Sequence, residues 1–262
     1  MIAELDDLAA LAVAVAGHTG RMLRDERGEW RRTERHAAHD VKLVGDRAAE
    51  AVATGLLCSG SRLPVFSEEG GWFGWQPSPE SAEPSEAWVL DPLDGSANYA
   101  RDVPLSVVSI AYCVGGTPLI GVVYDFWRDE MFCGYEGATA TCNGAPMRVS
   151  DTSEVSRAIL GTGFPAALDY DRETLDAYVR SAGSFHKVRS LGTAALMLAY
   201  VAAGRFDAYR EHNVRFWDVA AGIALVRAAG GVVETGGVDS DQGFGRRLKV
   251  TADNGRIGVA RS

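Results

Sequence analysis

The chain has 262 residues and a formal net charge of −9 at neutral pH. Hydrophobic residues make up 47% and charged residues 23% of it, a composition typical of a globular protein that can bury most of its apolar surface. The acidic balance argues against a nucleic-acid partner, because affinity for a phosphate backbone depends on clustered lysine and arginine. No run reaches the roughly 18 consecutive apolar residues of a membrane span, so we expect no membrane partner either.

The first predicted element is a helix over residues 4–24, whose apolar residues recur with a helical period. Acidic residues precede this apolar run, where a signal peptide carries lysine or arginine. The four cysteines form no C-x-x-C pair, a pattern typical of a reducing compartment. Together these features predict a cytoplasmic protein.

The next segment alternates a helix, a short strand and a loop. Residues 46–57 predict a second helix, with Asp46 as its cap or first-turn acid. The run LPVFSEE predicts a short strand. Residues 70–87, rich in Gly, Pro, Ser and Glu, predict a loop long enough to be a flap. Its Trp72 and Trp75 could close over a ligand, but we favour a loop that folds these rings onto its own surface.

Beyond residue 99 the pattern changes from strands to alternating strands and helices. The runs LSVVSIAYCV, PLIGVVYDF and EMFCGYE predict an antiparallel meander, because only short turns separate them. Residues 142–156 are the least structured stretch and the best boundary, which divides the chain into halves 1–150 and 151–262. Helices near 171–182, from about 192 and from about 218 alternate with short strands, so we expect an α/β second half.

The sequence WVLDPLDGSANY, residues 88–99, places two carboxylates at the end of an apolar strand. Asp91 and Asp94 would repel each other unless a divalent cation lay between them, and oxygen ligands favour Mg²⁺. Gly95 lets the backbone approach closely, so that the N–H groups of residues 95 and 96 can face an anion. The alternative is a β-turn, because P-x-D-G is among the commonest turn signals.

Two further acidic stretches favour a site. Glu68 and Glu69 follow the predicted short strand, and Asp218 begins a helix with small residues in its first turns. Each has an ordinary explanation when taken alone: the glutamates as a solvated loop, the aspartate as a first-turn acid favoured by the helix dipole.

The motifs EE, WVLDPLDGSANY and WDVAAG, in this order and spacing, resemble the inositol monophosphatase family. This family belongs to a wider superfamily of Mg²⁺-dependent, lithium-sensitive phosphatases that includes fructose-1,6-bisphosphatases. The resemblance covers residues 35–235 and continues through VRSLGTAALMLAYVAAGRFDAYREHNVRFWDVAAG. It implies a layered α-β-α-β-α sandwich, a small phosphorylated substrate and a homodimer.

The resemblance also implies two to three Mg²⁺ ions and a set of ligands for them. Glu68, Asp91 and the carbonyl oxygen of Leu93 would hold the first ion. Asp91, Asp94 and Asp218 would hold the second. A third, looser ion would use Glu68 and water molecules.

The same resemblance assigns the remaining site residues. Asp46 and Ser96 would orient the attacking water, and the N–H groups of Gly95 and Ser96 would bind phosphate. Ala194 and Glu211 would line the substrate pocket, with Glu211 binding a hydroxyl of the substrate.

Three positions bear on how closely the chain follows the family. Ser96 stands where threonine is commoner, and Leu43 replaces a threonine that often precedes the Asp46 equivalent by three residues. The basic residue expected upstream corresponds to Arg35.

The expected activity is a Mg²⁺-dependent phosphomonoesterase acting on inositol monophosphate or a related cyclitol or sugar phosphate. Histidinol phosphate and fructose 1,6-bisphosphate are alternative substrates, the latter because the wording D-P-L-D-G-S leans toward sugar bisphosphatases. An alternative of another class is a metal- or ligand-binding regulatory homologue without turnover. The water-orienting Asp46 favours the enzyme, because a binding protein has no need of it.

Overall fold

The computed structural model describes residues 2–37, 40–76, 83–164, 172–237 and 243–259. Its helices within these ranges are α1 (Ile2–Asp25), α2 (Arg27–Trp30), α3 (Val44–Ser61), α4 (Ser96–Ala100), α5 (Arg172–Gly183), α6 (Ala194–Ala202) and α7 (Phe216–Ala228). Its strands there are β1 (Thr33–Ala37), β2 (Asp40–Leu43), β3 (Val65–Ser67), β4 (Gly71–Phe73), β5 (Glu86–Asp94), β6 (Val107–Val114), β7 (Thr117–Asp125), β8 (Glu130–Tyr135), β9 (Thr141–Cys142), β10 (Ala145–Pro146), β11 (Ile159–Gly161), β12 (Lys187–Arg189), β13 (Ala208–Arg215), β14 (Val232–Gly237) and β15 (Arg247–Asp253).

The strands form two large sheets and one hairpin within the described ranges. The eight-stranded sheet has the order β10-β9-β8-β7-β6-β5-β3-β4, and the five-stranded sheet has the order β12-β11-β13-β15-β14. Strands β5 to β8 form the predicted antiparallel meander, whereas β3 runs parallel to β5. Strands β1 and β2 pair with each other as a separate antiparallel hairpin.

Helices cover these sheets in alternating layers. Helices α1 and α3 pack on one face of the large sheet, and α7 packs on its other face while also contacting the small sheet. Helix α6 lies beside α7 in the same middle layer. Helix α5 contributes Ala182 to a third cluster with Leu160 and Ala208, on the outer face of the small sheet. The predicted α-β-α-β-α sandwich is therefore confirmed.

The sequence pattern located the long helices and the meander correctly and missed six strands of the described ranges. The first two predicted helices are α1 and α3, and the later ones correspond to α5, α6 and α7. The hairpin β1–β2, the short strands β9 and β10 and the strand β15 were not predicted. Part of the predicted 70–87 loop is the strand β4, and residues 77–82 of that loop lie outside the described residues. Trp72 packs edge-on against Phe66 and Phe244, which lie outside this loop, so this ring folds onto the rest of the protein.

The segment Asp91–Asp94 is a β-bulge, so the β-turn alternative is wrong. Strand β5 continues through Asp94, and its pairing with β6 shifts register between Asp91 and Asp94. Pro92 has no N–H to donate to the ladder, and a bulge is one of the few places where a strand tolerates proline. The bulge keeps both aspartates on the paired strand.

The division at residue 150 stays a proposal. The described strands of the large sheet end by Pro146 and those of the small sheet begin at Ile159, but α6 and α7 pack against both sheets. None of the described helices combines the length and the apolar character required to cross a membrane.

Two glycines allow close packing in the middle helix layer, one between β7 and α7 and the other between α7 and α6. A Cβ added at Gly121 in β7 would lie 2.0 Å from the carbonyl oxygen of Ala221 in α7. A Cβ added at Gly222 would lie 2.4 Å from the Cβ of Leu198 in α6. The small residues at the start of α7 thus serve close packing, which fixes where Asp218 is held.

We expect Gly121→Ala to destabilise the fold by about 1–3 kcal/mol or more, because the backbone of α7 would have to move away from β7. Denaturant unfolding monitored by circular dichroism measures the change. The matched control is Gly55→Ala in α3, where an added Cβ meets nothing within 4 Å, so that the variant should be neutral or stabilised by up to about 1 kcal/mol. Equal stability of both variants would contradict this account of the packing.

Candidate active site

Three carboxylates converge at one end of the large sheet. Oxygen atoms of Glu68, Asp91 and Asp218 all lie within 4.8 Å of one another. Strands β3 and β5 are parallel neighbours, with Ser67 paired to Leu90, so Glu68 and Asp91 leave the sheet at the same end. Asp218 reaches them from the first turn of α7, where its Oδ2 also accepts a hydrogen bond from the backbone N–H of Arg215 at 3.2 Å.

The cluster is unfavourable as a set of bare anions. Asp91 is only 2% exposed, and its burial together with the charges of Glu68, Asp94 and Asp218 raises its pKa well above the ordinary value. Burial and the charges of Glu68 and Asp94 raise the pKa of Asp218 in the same way. A divalent cation would reverse both effects, and a donor set made of carboxylate oxygens fits Mg²⁺.

Asp94 joins the bulge to the second half of the chain. Its Oδ2 accepts hydrogen bonds from the hydroxyl of Thr193 at 2.6 Å and from the N–H of Ala195 at 2.8 Å. Burial raises the pKa of Asp94 to about 7, although these two hydrogen bonds lower it. Asp94 is not one of the three carboxylates whose oxygen atoms lie within 4.8 Å of one another. It is bonded instead to the start of α6, whose first residue is Ala194. The sequence alone had not indicated Thr193.

Ser96 and Asp46 are brought together as a hydrogen-bonded pair. The Oγ of Ser96 lies 2.8 Å from Asp46 Oδ1 and 2.9 Å from the carbonyl oxygen of Leu93, so its single proton is donated to one of them at a time. Asp46 Oδ2 also accepts a hydrogen bond of 2.5 Å from the N–H of Leu43 at the start of α3. Burial raises the pKa of Asp46 to about 7 against the effect of these bonds.

Gly95 is required by the backbone between the bulge and α4. Its φ is +93°, a conformation that other residues rarely adopt. A Cβ at this position would also lie 2.7 Å from the carbonyl oxygen of Leu105. The backbone at Gly95 therefore packs closely against Leu105, and the anion-facing role of the N–H groups of residues 95 and 96 stays a prediction.

Glu211 lies at the edge of the cluster and is held by two donors. The hydroxyl of Tyr209 donates to its Oε2 at 2.8 Å, and the backbone N–H of Gly163 also hydrogen bonds to it. An added Cβ at Gly163 would lie 2.2 Å from Glu211 Oε1, so a side chain there would require the Glu211 carboxylate to move. Burial raises the pKa of Glu211, and its charge acts on Asp94 and Asp218. Sequence reasoning missed Tyr209 and Gly163, because no sequence spacing relates the two parallel strands β11 and β13.

Lys42 is an unforeseen member of the cluster. Its Nζ donates to Glu68 Oε1 at 2.8 Å and also contacts Glu69 Oε1. Burial by itself would lower the pKa of Lys42, but the charges and hydrogen bonds of the two glutamates outweigh it and raise the pKa. The turn that carries the glutamates is fixed by Glu50 of α3, whose Oε1 accepts from the N–H of Gly70 at 2.8 Å. The sequence offered one indication that Lys42 lies near the site, because it precedes Asp46 by only four residues. The side chain of Arg35 lies outside the described part of the structure.

The layered fold and the carboxylate cluster at the sheet end define a class: an α/β protein with acidic side chains that could hold a metal ion beside a hydrogen-bonded serine–aspartate pair. The model of the inositol monophosphatase family matches residues 4–257, so the chain belongs to the inositol monophosphatase family.

Two curated relatives show how far the similarity extends. An inositol-1-monophosphatase of Synechocystis sp. is 38% identical over 233 residues, which cover 86% of this chain and 76% of the relative. A protein of Pseudomonas aeruginosa named Nus factor SuhB is 41% identical over 201 residues, covering 75% of this chain and 72% of the relative. Similar sequences therefore carry both names.

Solved structures agree with the fold over nearly the whole chain. The inositol monophosphatase from Anabaena (Nostoc) sp. superposes with a TM-score of 0.78 at 33% identity, covering 98% of this chain and 95% of that chain. The extragenic suppressor protein suhB from Bartonella henselae gives a TM-score of 0.82 at 30% identity and covers 96% of each chain.

The metal-free protein should lose stability as the pH rises from about 4 to about 7. The folded-state pKa values of Asp46, Asp91 and Asp94 lie above those of the unfolded chain. In this window the native state therefore binds more protons than the unfolded state, and the free energy of unfolding falls as the pH increases.

Asp91→Asn should relieve part of this loss, because an amide oxygen can still accept the 3.0 Å hydrogen bond from the N–H of Leu93. In excess chelator we expect the variant to melt above the wild type at pH 8, by about 2–4 °C per kcal/mol of repulsion removed, and the difference to shrink toward pH 4. Differential scanning calorimetry measures it. Asp176→Asn, at an exposed position of α5, is the control and should leave the pH dependence unchanged. A variant at residue 91 that is less stable than wild type at pH 8 would contradict the prediction.

Proposed function

We propose that the chain is a Mg²⁺-dependent phosphomonoesterase that hydrolyses inositol monophosphate or a related cyclitol or sugar phosphate. The observation that carries the proposal is the convergence of Glu68, Asp91 and Asp218 beside the hydrogen-bonded pair of Ser96 and Asp46. A cation site alone would explain the carboxylates. A serine–aspartate pair next to it is what an enzyme that uses water as its nucleophile requires.

The proposed ligands follow the arrangement of the cluster. Glu68, Asp91 and the carbonyl oxygen of Leu93 would hold one Mg²⁺, and Asp91, Asp94 and Asp218 would hold a second. When bound, such ions lower the pKa of a coordinated water and stabilise the negative charge on the leaving oxygen of the ester. Chemistry of this kind is needed because hydrolysis of a phosphate monoester requires on the order of 20 kcal/mol of transition-state stabilisation.

The pair of Ser96 and Asp46 would handle the proton of the attacking water. When the serine hydroxyl donates to Asp46 Oδ1, the lone pairs of Ser96 Oγ are free to accept a hydrogen bond from water. Asp46 would then take up the proton of the water through that hydroxyl. The N–H of Leu43 holds the other carboxylate oxygen in place.

The substrate would be bound by backbone on one side and by Glu211 on the other. The N–H groups of Gly95 and Ser96 would donate to the phosphate. The carboxylate of Glu211 would accept a hydrogen bond from a hydroxyl of the alcohol, with Ala194 lining the same pocket. Tyr209 and Gly163 would orient Glu211, because both donate to it in the folded chain.

Histidinol phosphate and fructose 1,6-bisphosphate remain alternative substrates of the same site. They differ from inositol monophosphate in the alcohol rather than in the phosphate, so the metals and Asp46 would serve all three alike. A panel of these esters at fixed Mg²⁺ concentration ranks them by kcat/KM and identifies the substrate class.

A regulatory role without turnover is the second candidate function. It is favoured by the name Nus factor SuhB, which several of the curated relatives bear. Direct binding of nucleic acid is not expected of this chain, because its net charge is −9, and we keep that absence as a prediction. A homodimer and a cytoplasmic location are likewise proposals. Release of phosphate from substrate separates the enzyme from the regulatory protein.

Phosphate release should require Mg²⁺, and excess chelator should abolish it. The same ion should raise the melting temperature, because a ligand bound only by the native state shifts unfolding by mass action. Ca²⁺ should bind but support little turnover, since it is larger and less strict in geometry, and lithium should inhibit.

Asp91→Asn should lose several orders of magnitude in rate, roughly the effect of a ligand shared by two ions. Full activity in chelator, or near-wild-type activity of this variant at saturating Mg²⁺, would overturn the proposal.

Two substitutions should separate substrate binding from chemistry. Glu211→Gln keeps the size but removes the charge, so it should weaken polyol substrates by about 1.5–3 kcal/mol in kcat/KM, the value of a charged hydrogen bond. Hydrolysis of p-nitrophenyl phosphate, which lacks the hydroxyl, should barely change. Asp46→Asn should slow both substrates alike, because the attacking water is common to them. If Glu211→Gln slows both esters equally, Glu211 belongs with the metal ligands and not with the substrate pocket.

A further inference from the structure

Lys42 places a fixed positive charge inside the acidic cluster. The chain has 23 arginines but only three lysines, Lys42, Lys187 and Lys249. The last two are exposed on strands of the small sheet, whereas the side chain of Lys42 is 25% exposed and donates to Glu68 and contacts Glu69. Lys42 is therefore unusual in this chain, both because it is a lysine and because it lies partly buried against two glutamates.

An ammonium group suits this position better than a guanidinium group would. It is a compact, strongly hydrated point charge with three donors, whereas a guanidinium is a broad planar fork. In size and charge density an ammonium group is the side chain closest to a metal ion. Glu68 uses Oε1 for this contact while also offering an oxygen atom to the triplet with Asp91 and Asp218. Lys42 is thus bonded directly to the carboxylate through which a further cation would have to bind.

The ammonium group of Lys42 already supplies one positive charge at the glutamate end of the cluster. A third divalent ion bound through Glu68 would have to displace the ammonium group or share one carboxylate with it, and the repulsion between the two cations opposes that.

We infer that the ammonium group of Lys42 takes the place of the third, loosest cation, so that this chain binds two divalent ions where its carboxylates alone would accept three. The inference rests on the proposed metal-dependent function. It makes Lys42 a positioning residue that fixes Glu68 and Glu69 and sets the number of ions, without contact to the substrate.

Titration with MnCl₂ tests the inference on the full-length protein. Free Mn²⁺ is followed by electron paramagnetic resonance in the presence of inorganic phosphate, so that the readout does not depend on activity. The variants are Lys42→Met, which keeps the length and removes the charge, and Lys42→Arg, which keeps the charge. Lys187→Met on the exposed strand β12 is the matched control.

The wild type, Lys42→Arg and Lys187→Met should saturate with two ions. Lys42→Met should bind a third, with a dissociation constant lower by roughly tenfold or more than any further binding in the wild type, as expected for removal of one like charge from a partly buried site. If Lys42→Met does not fold, Lys42→Gln gives the same readout, and the wild-type count stands as a test by itself.

Each remaining outcome has a distinct meaning. Three ions in the wild type, or equal stoichiometry and affinity in the wild type and Lys42→Met, overturn the inference and leave the proposed function intact. A third ion in Lys42→Arg overturns it too, because the charge would then not be responsible. No Mn²⁺ bound by any of the proteins overturns the metal-dependent function itself, and the inference with it.

Discussion

The mutual repulsion of buried carboxylates is the constraint on which the rest of this structure depends. Burial raises the pKa values of Asp91, Asp94 and Asp218, and each of these acids adds to the cost of ionising another. A sequence selected for stability alone would not place them together, because a carboxylate removed from water is expensive unless it is paired. Their convergence therefore points to a function, and a bound cation is the simplest account of why the chain tolerates them.

The fold concentrates these acids by joining its two sheets at one point. The bulge in β5 carries Asp91 and Asp94, and Asp94 accepts hydrogen bonds from Thr193 and Ala195 at the start of α6. Helix α7 lies close enough to β7 that a Cβ at Gly121 would overlap with its backbone, and this approach brings Asp218 to the cluster. Local chain geometry supplies two ligands, and packing between layers supplies the third. A small shift of the middle helix layer would separate them.

The parts predictable from the sequence are those in which a residue type has a single strong reason for its position. The carboxylates and Gly95 lie in short motifs, the Ser96–Asp46 pair was implied by the family resemblance, and the helices and the meander follow from apolar periodicity. The residues that were missed act through contacts between distant segments: Thr193 on Asp94, Gly163 and Tyr209 on Glu211, and Lys42 on the glutamates. Such contacts are set by strand order and by helix packing, which no single stretch of sequence specifies. The β-bulge was missed for a different reason, because P-x-D-G is equally suited to a turn.

Lys42 offsets part of the repulsion at the glutamate end of the cluster. Its ammonium group contacts both Glu68 and Glu69, and the turn that bears these glutamates is also held by Glu50. This arrangement suits a binding protein as well as an enzyme. Similar sequences bear the names of an inositol monophosphatase and of a Nus factor, so the shared fold does not by itself separate the two. Under the proposed function the separation would lie in Asp46 and Ser96, whose hydrogen-bonded pair would orient the attacking water.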